Sequence, residues 1–194
     1  MSILRRPQTP IGLQPRVHAS VTIPSDRSMT NTIIGSYWNQ FLNSLSPTAE
    51  RPHGYYEAFY FGTTREGAAG IAALVLDGIK TATGSPKWVY DAENKPLPKV
   101  GDLSIVTDGD GYPLCIIRTT EVQIVPFDEV GEQFAYDGGE GDRTLTDWRR
   151  MYWAYIVSEC ARIGREAVPN APLVCERFRV VFKDQPEATS PAGC

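Results

Sequence analysis

The chain has almost no histidine. Its 194 residues include two, His18 and His53, and both fall outside the stretch whose patterning marks a compact core. Imidazole-based acid–base chemistry therefore has no carrier there, and the HExxH spacing of a zinc hydrolase is absent. Cysteine is equally sparse. Cys115, Cys160, Cys175 and Cys194 form no CxxC pair and no zinc-ligand spacing, so the sequence predicts no metal site and calls for no cofactor. Cys115 and Cys175 lie in strand-like runs and Cys160 on a helical face, the placement of buried free thiols in a reducing compartment; a cytoplasmic location is expected. No run approaches the roughly 18 apolar residues that span a bilayer, so no membrane partner is expected. Positive charge is also short. The net charge is −4, and beyond residue 50 there are 15 basic and 21 acidic side chains. Proteins that coat duplex DNA are normally basic. Any contact with nucleic acid here needs a local basic cleft rather than a broad field.

What is present suffices for a core. Apolar residues make up 42% and charged residues 22%, and the length fits one domain plus an extension. Residues 1–35 carry Arg5, Arg6, Arg16 and Arg27 against Asp26, and Pro7, Pro10, Pro15 and Pro24 interrupt any long helix. They lack an apolar secretory signal and read as a disordered arm. Residues 36–183 read as the folded unit, and 184–194 as a disordered tail.

Within the folded unit, SYWNQFLNSL places Trp38, Phe41, Leu42 and Leu45 on one helical face behind a Ser36 cap. YYEAFYFG reads as a strand. Thr63 and Glu66 have capping-box spacing before a helix that buries Ala68, Ile71, Ala72 and Val75 and ends at Gly78. The stretch SPKWVYDAENKPLPKVGD reads as a long loop with at most a short strand. LSIVT and LCIIRTTEVQIV read as strands joined by DGDGYP, a turn in which Gly109 and Gly111 can take positive φ. Asp108 and Asp110 are turn residues rather than a cation pair. PFDEVGEQFA predicts a short helix turning Val130 and Phe134 inward. The glycine-rich DGGEGDR loop then leads to Thr144, the cap of the longest helix, which carries Trp148, Tyr152, Tyr155, Ile156 and Ile163 on one side and stops at Gly164. LVCERFRVVF alternates, with Val174, Phe178, Val180 and Phe182 opposite Arg177 and Arg179. Short strands joined by hairpins and loops favour an α+β fold with a mostly antiparallel, barrel-like sheet and flanking helices.

Four segments, taken in order, carry a resemblance: ALVLDGIKTATGS, PLPKVGDLSIVTDGDGYPLCIIRTTEVQIVPFDEV, GEGDRTLTDWRRMYW and PLVCERFRVVF. Together they resemble the ASCH domain family over most of residues 59–182. The resemblance implies a PUA-like fold, a small β-barrel with α-helices packed outside, and an RNA-linked role. Some members of the family are described as ribonucleases, some very small members as amidohydrolases acting on acetylated cytidine, and others are thought only to bind RNA. In the amidohydrolase-like members the site is a lysine, a threonine three residues on and a distant glutamate. Carried over, these become Lys80, Thr83 and Glu140. Many relatives have an arginine shortly after the threonine, where this chain has Gly84 and Ser85, and a histidine in the long helix where it has Tyr152.

The residues themselves support two readings of Lys80. It is either a solvated cation near a helix end, or the centre of a site. As an ammonium it suits a phosphate oxygen; walled off by Trp88 and the preceding helix, it becomes a neutral base. Thr83 and Ser85 either hold a ligand oxygen or bond locally in a turn, and Thr83 is the nucleophile if Lys80 deprotonates it. An extended segment would put Lys80 and Thr83 on opposite sides, so a bend at Ala82–Gly84 is expected. Glu140 is the acid–base partner of Lys80 or a helix-dipole carboxylate. Arg143 is a phosphate or carboxylate clamp. Trp88, Tyr90 and Tyr136 are candidate stacking platforms for an unpaired base, or core residues. Arg177 and Arg179 supply local positive potential or pair with Glu176 or Asp184. Two functions remain: a hydrolase or ribonuclease on RNA or a modified nucleoside using Lys80, Thr83 and Glu140, and a non-catalytic module for single-stranded or modified RNA. The expected partner is RNA or a nucleoside-type small molecule in either case.

Overall fold

The computed structural model describes residues 27–62 and 64–183. Its elements run α1 (Arg27–Ser44), β1 (Glu57–Phe59), α2 (Arg65–Leu76), β2 (Ala82–Pro86), α3 (Lys87–Glu93), β3 (Leu103–Thr107), β4 (Pro113–Pro126), α4 (Glu132–Asp137), α5 (Leu145–Arg162) and β5 (Pro172–Lys183), with a 3-10 turn at Phe127–Glu129. The five strands form one sheet in the order β1-β3-β4-β5-β2, curled into a half-barrel. β1 runs parallel to β3, and every other pairing is antiparallel. The α+β, mostly antiparallel architecture expected from the sequence is the one found.

The curl has a local cause. β4 and β5 are long partners, and their register shifts twice, between Ile116 and Ile117 and between Thr119 and Glu121. Each bulge bends the ribbon and increases its twist. The two faces then bury different helices. On the inner face, Ile117 and Phe178 pack with Phe59, Phe61, Ile71 and Val75, so α2 plugs the concave side. On the outer face, α1 covers one end through Tyr37, Trp38 and Phe41, lying on Leu103, Ile105 and Ile116. α5 covers the other end through Trp148, Tyr152, Tyr155 and Ile156, lying on Leu173 and Cys175. The strip of sheet between these two outer layers is open.

Several local expectations need correction. α1 begins at Arg27, not at Ser36; the added turns are polar but for a few residues, so no apolar period marks them. Of the arm expected at 1–35, residues 1–26 lie outside the described residues, as does the tail 184–194. The cap of α2 is Thr64, whose hydroxyl accepts the Gly67 N–H at 3.1 Å. YYEAFYFG contributes three strand residues only. The supposed long loop after Gly84 holds β2 and the helix α3. β2 reads ATGSP, too poor in β-branched residues to look like a strand, yet it is buried at all five positions. Gly84 lies under the Tyr152 ring, where a Cβ would make an ordinary contact at 3.4 Å. In the β3–β4 turn only Gly111 has positive φ. Gly109 is required for a different reason: a Cβ would meet Arg65 Cα at 2.6 Å. Cys115, Cys160 and Cys175 are buried free thiols, as expected.

α1 is the element least expected to belong to the domain, and its packing makes a prediction. Phe41 is buried against Trp38 and Phe182. Phe41→Ala will cost about 3–5 kcal/mol of unfolding free energy, read by urea denaturation; a loss below about 1 kcal/mol would remove α1 from the cooperative core.

Candidate active site

The site begins where α2 stops. Gly78 takes positive φ (70°), and the Ile79 and Lys80 amides both donate to the Leu74 carbonyl at 2.9 Å. These bonds satisfy the end of the helix and turn the chain inward. Thr81 is then pinned on both sides: its N–H donates to the Asp137 carbonyl at 2.8 Å, and its carbonyl accepts the Phe178 N–H at 2.9 Å. Lys80, between these ties, is 1% exposed.

A buried ammonium demands partners. Lys80 Nζ donates to Glu140 Oε1 at 2.6 Å and to the Gly138 carbonyl at 3.1 Å, and it lies 5.3 Å from the centroid of the Phe61 ring. Both oxygens come from the glycine-rich loop between α4 and α5. The loop comes this close because of its glycines. Gly139 has φ 74°, and a Cβ on it would stand 2.8 Å from the Lys80 N and Cα. On the far side Asp142 anchors the start of α5. Its Oδ1 accepts the Thr144 hydroxyl at 2.7 Å and the Thr144 N–H at 2.8 Å, and these bonds hold its carboxyl below the usual carboxylate range. Asp142 is thus a structural residue, while its neighbour Glu140 points inward and is 4% exposed.

Thr83 reaches the same region by another path. The expected bend at Ala82–Gly84 is absent: these residues are extended in β2, paired with Arg177, Glu176 and Cys175 of β5. The connection runs through Tyr152 of α5. Its hydroxyl oxygen accepts the Gly84 N–H at 3.2 Å, and the Thr83 hydroxyl lies against it without the geometry of a full hydrogen bond. Burial raises the Tyr152 phenol well above its ordinary pKa, and the nearby Glu140 charge adds to that rise. The structure thus shows two buried polar groupings, Lys80 with Glu140 and Thr83 with Tyr152, linked by the Glu140 charge that Tyr152 feels. Thr83 and Ser85 are 1% and 0% exposed, and neither hydroxyl oxygen has a hydrogen-bond partner. Thr119 and Glu176 stand close by on the inner face, joined at 3.4 Å.

The remaining candidates are placed elsewhere. Tyr90 is core, 1% exposed, and is no platform for a base. Trp88 is half-buried against the α5 layer with the Arg165 guanidinium 4.4 Å from its ring, and it does not wall off Lys80. Arg143 is committed to its own loop: it donates to the Tyr136 carbonyl at 3.0 Å and stacks 3.6 Å over the Tyr136 ring. Tyr136 is half-exposed at the loop's outer side. Arg177 pairs with Asp137 and with Glu121; Asp184 lies outside the described residues. Sequence reasoning took Tyr152 as core and passed over Phe61, which forms the floor under the ammonium. Tyr152's only sequence mark was its place where relatives carry a histidine.

Two cavities lie around this cluster. One, of about 280 Å³, is walled by the last turn of α2, by Lys80 and Thr81, and by Phe178, Arg179 and Val180 of β5. The other, of about 320 Å³, lies on the outer face beside α4 and includes Glu121, Glu129, Phe134, Cys175 and Arg177. Burial pushes the Cys175 thiol up to about 12, so it is no nucleophile. Among the described residues no group of three or more histidine, cysteine or carboxylate side chains is placed to hold a metal ion.

The family model described as ASCH domain matches residues 57–182. Two solved structures are similar over most of the chain. An ASCH domain from Lactobacillus crispatus JV V101 is 33% identical, with a TM-score of 0.71, covering 78% of this chain and 93% of its own. A protein from Enterococcus faecalis V583 is 34% identical, with a TM-score of 0.69, covering 78% of this chain and 89% of its own. No curated protein matches.

The buried ion pair fixes an expected outcome. Lys80→Met leaves the Glu140 carboxylate buried and unpaired and will cost about 3–5 kcal/mol. Adding Glu140→Leu will recover most of that loss. Urea denaturation of the two single variants and the double variant measures the coupling; purely additive losses would mean that the two groups do not interact.

Proposed function

The chain belongs to the ASCH domain family, generally considered RNA-binding, and from that premise we propose that it is an RNA-directed hydrolase acting on an acylated base of RNA or of a modified nucleoside. Thr83 is the nucleophile, Glu140 the proton acceptor and donor, and Lys80 the cation. The observation that supports this reading is the Thr83 hydroxyl, wholly buried and lying against the Tyr152 phenol without full hydrogen-bond geometry, in a domain that also buries an ammonium–carboxylate pair. An unsatisfied buried hydroxyl costs about 1–3 kcal/mol. A fold retains such a cost most readily where the group meets a ligand.

The steps follow from the groups present. Thr83 Oγ1 attacks the carbonyl carbon of an acylamino substituent, and its proton passes to Glu140. The Lys80 ammonium offsets the negative charge that develops on the carbonyl oxygen. Glu140 returns the proton to the departing amine, which leaves as the C–N bond breaks. Water then cleaves the acyl–threonine ester, and Thr83 recovers its proton. Tyr152 and Ser85 position the threonine and the ligand. The ribonuclease version uses Lys80 against a phosphate. It fits less well, because at 1% exposure the amine is reached only by a small group entering the cavity that Lys80 lines, not by a polyanion's backbone. The binding-only reading draws on the same burial, since a cavity of about 280 Å³ beside a buried charge suits selective capture of one base.

Thr83→Val separates these readings. It removes the hydroxyl and keeps the shape, so unfolding free energy will stay level or rise, because an unsatisfied polar atom is lost. Release of acid from N4-acetylcytidine, followed chromatographically, will fall at least about a hundredfold. Retained turnover would eliminate Thr83 as nucleophile. With labelled single-stranded RNA, shortening would point to the ribonuclease version, and retardation without any turnover to the binding module.

A further inference from the structure

The open strip of sheet between α1 and α5 carries an unusual pair. Arg118 of β4 and Arg179 of β5 are direct cross-strand partners. In an antiparallel ladder such partners share a face, with Cβ atoms about 4.5–5.5 Å apart, and like charges placed so are destabilising. The face is the outer one: Ile116 and Phe182, which lie along the same sides of the two strands, pack under α1.

Among the described residues no carboxylate is paired with either charge. The acids at hand, Glu121 and Asp137, are both held by Arg177. Among the described residues neither Arg118 nor Arg179 reaches a carboxylate. Arg118 Nε is shut off from solvent and has no acceptor, a donor left unpaired at a cost. Arg179 itself is exposed. Two guanidiniums, one with an unpartnered buried donor, form a site for an anion with several acceptor oxygens, and the planar fork of arginine matches phosphate.

The position gives the anion a context. Arg179 also walls the 280 Å³ cavity that Lys80 and Thr81 line. β2 pairs with β5 only as far as Arg177, so an anion on the arginine pair is one end of a ligand that passes this edge of β5 to the cavity on the α2 side. The buried Lys80 offers no phosphate contact, so a nucleic-acid ligand needs its backbone held elsewhere. The chain is acidic overall, and this pair is the local basic element that such a ligand requires.

We infer that Arg118 and Arg179 clamp the backbone phosphate of a single RNA strand and hold an adjoining nucleotide at the cavity bordered by Lys80. This inference rests on the RNA-directed reading of the site. It goes beyond that reading in assigning a phosphate subsite on the opposite side of the sheet from α2.

Arg118→Gln, Arg179→Gln and the double variant test it with a labelled single-stranded RNA oligonucleotide, its affinity measured across a range of salt. The dependence of log affinity on log salt has a slope of roughly −0.7 per phosphate neutralised on a single strand. Each substitution will make the slope shallower by up to about 0.7, and the double variant will bind at least about tenfold more weakly at low salt. Unfolding free energy will stay level or rise, since the like-charge pair is relieved. Thr83→Val will leave the slope unchanged. If wild type binds RNA and the double variant keeps the same affinity and slope, the clamp is wrong and the RNA reading stands. If wild type binds no RNA at low salt, both fall.

Discussion

A lysine ammonium and a glutamate carboxylate, 2.6 Å apart and sealed from water, set the terms for everything around them. Taking two charges out of water costs several kcal/mol per ion, and their attraction offsets that only with good geometry and further hydrogen bonds. The chain supplies that geometry from three directions. The end of α2 turns Lys80 inward, the glycine loop brings Glu140 and a second acceptor, and Phe61 closes the floor. A buried pair of this kind is weak evidence for stability, because a hydrophobic replacement often serves as well. Its retention is better explained by what the charges do for a ligand than by what they do for the fold.

The same constraint explains the glycines. The DGGEG segment looks flexible by composition, but its glycines make close approach possible. At Gly139 a side chain would collide with the backbone of Lys80 itself, so the loop and the lysine can share the site only where that position has no Cβ. The tie from Thr81 N–H to the Asp137 carbonyl locks the two segments in register. Asp137 in turn binds Arg177, and Arg177 binds Glu121. The charge network of the outer face is thereby continuous with the backbone that holds the buried pair.

Much of this was legible in the sequence, and the failures have physical causes. α2, β3, β4, α5 and β5 showed strong periods and clear caps, and they stand near their expected places. β2 and α3 were missed because tertiary contacts decide them. ATGSP becomes a strand by pairing with β5, which no local propensity signals. The site was legible only in part. Lys80, Thr83 and Glu140 could be named from resemblance, but the extended geometry of β2 seemed to set Lys80 and Thr83 on opposite sides. Lys80 lies outside the strand, in the turn before it, so the alternation within β2 does not govern where it points. Arg143 and Arg177 failed as free cations because each found a partner far along or just outside its own element, and a one-dimensional reading cannot see such partners.

The division of labour between the two faces follows from these contacts. Charge that is buried is already satisfied: Lys80 with Glu140, Arg177 with Asp137 and Glu121. Among the described groups left unsatisfied are the two hydroxyls of β2 on one side and Arg118 Nε, in its like-charge pair with Arg179, on the other. Both sets are costly to the free protein, and both border the same turn, Thr83 two residues after Thr81 and Arg179 beside the Phe178 N–H that Thr81 accepts. A ligand that met only the hydroxyls would leave two arginines repelling each other, and one that met only the arginines would leave the hydroxyls dry and unpaired. A nucleotide, with a base of hydrogen-bonding groups at one end and a phosphate at the other, is the kind of molecule that relieves both costs at once.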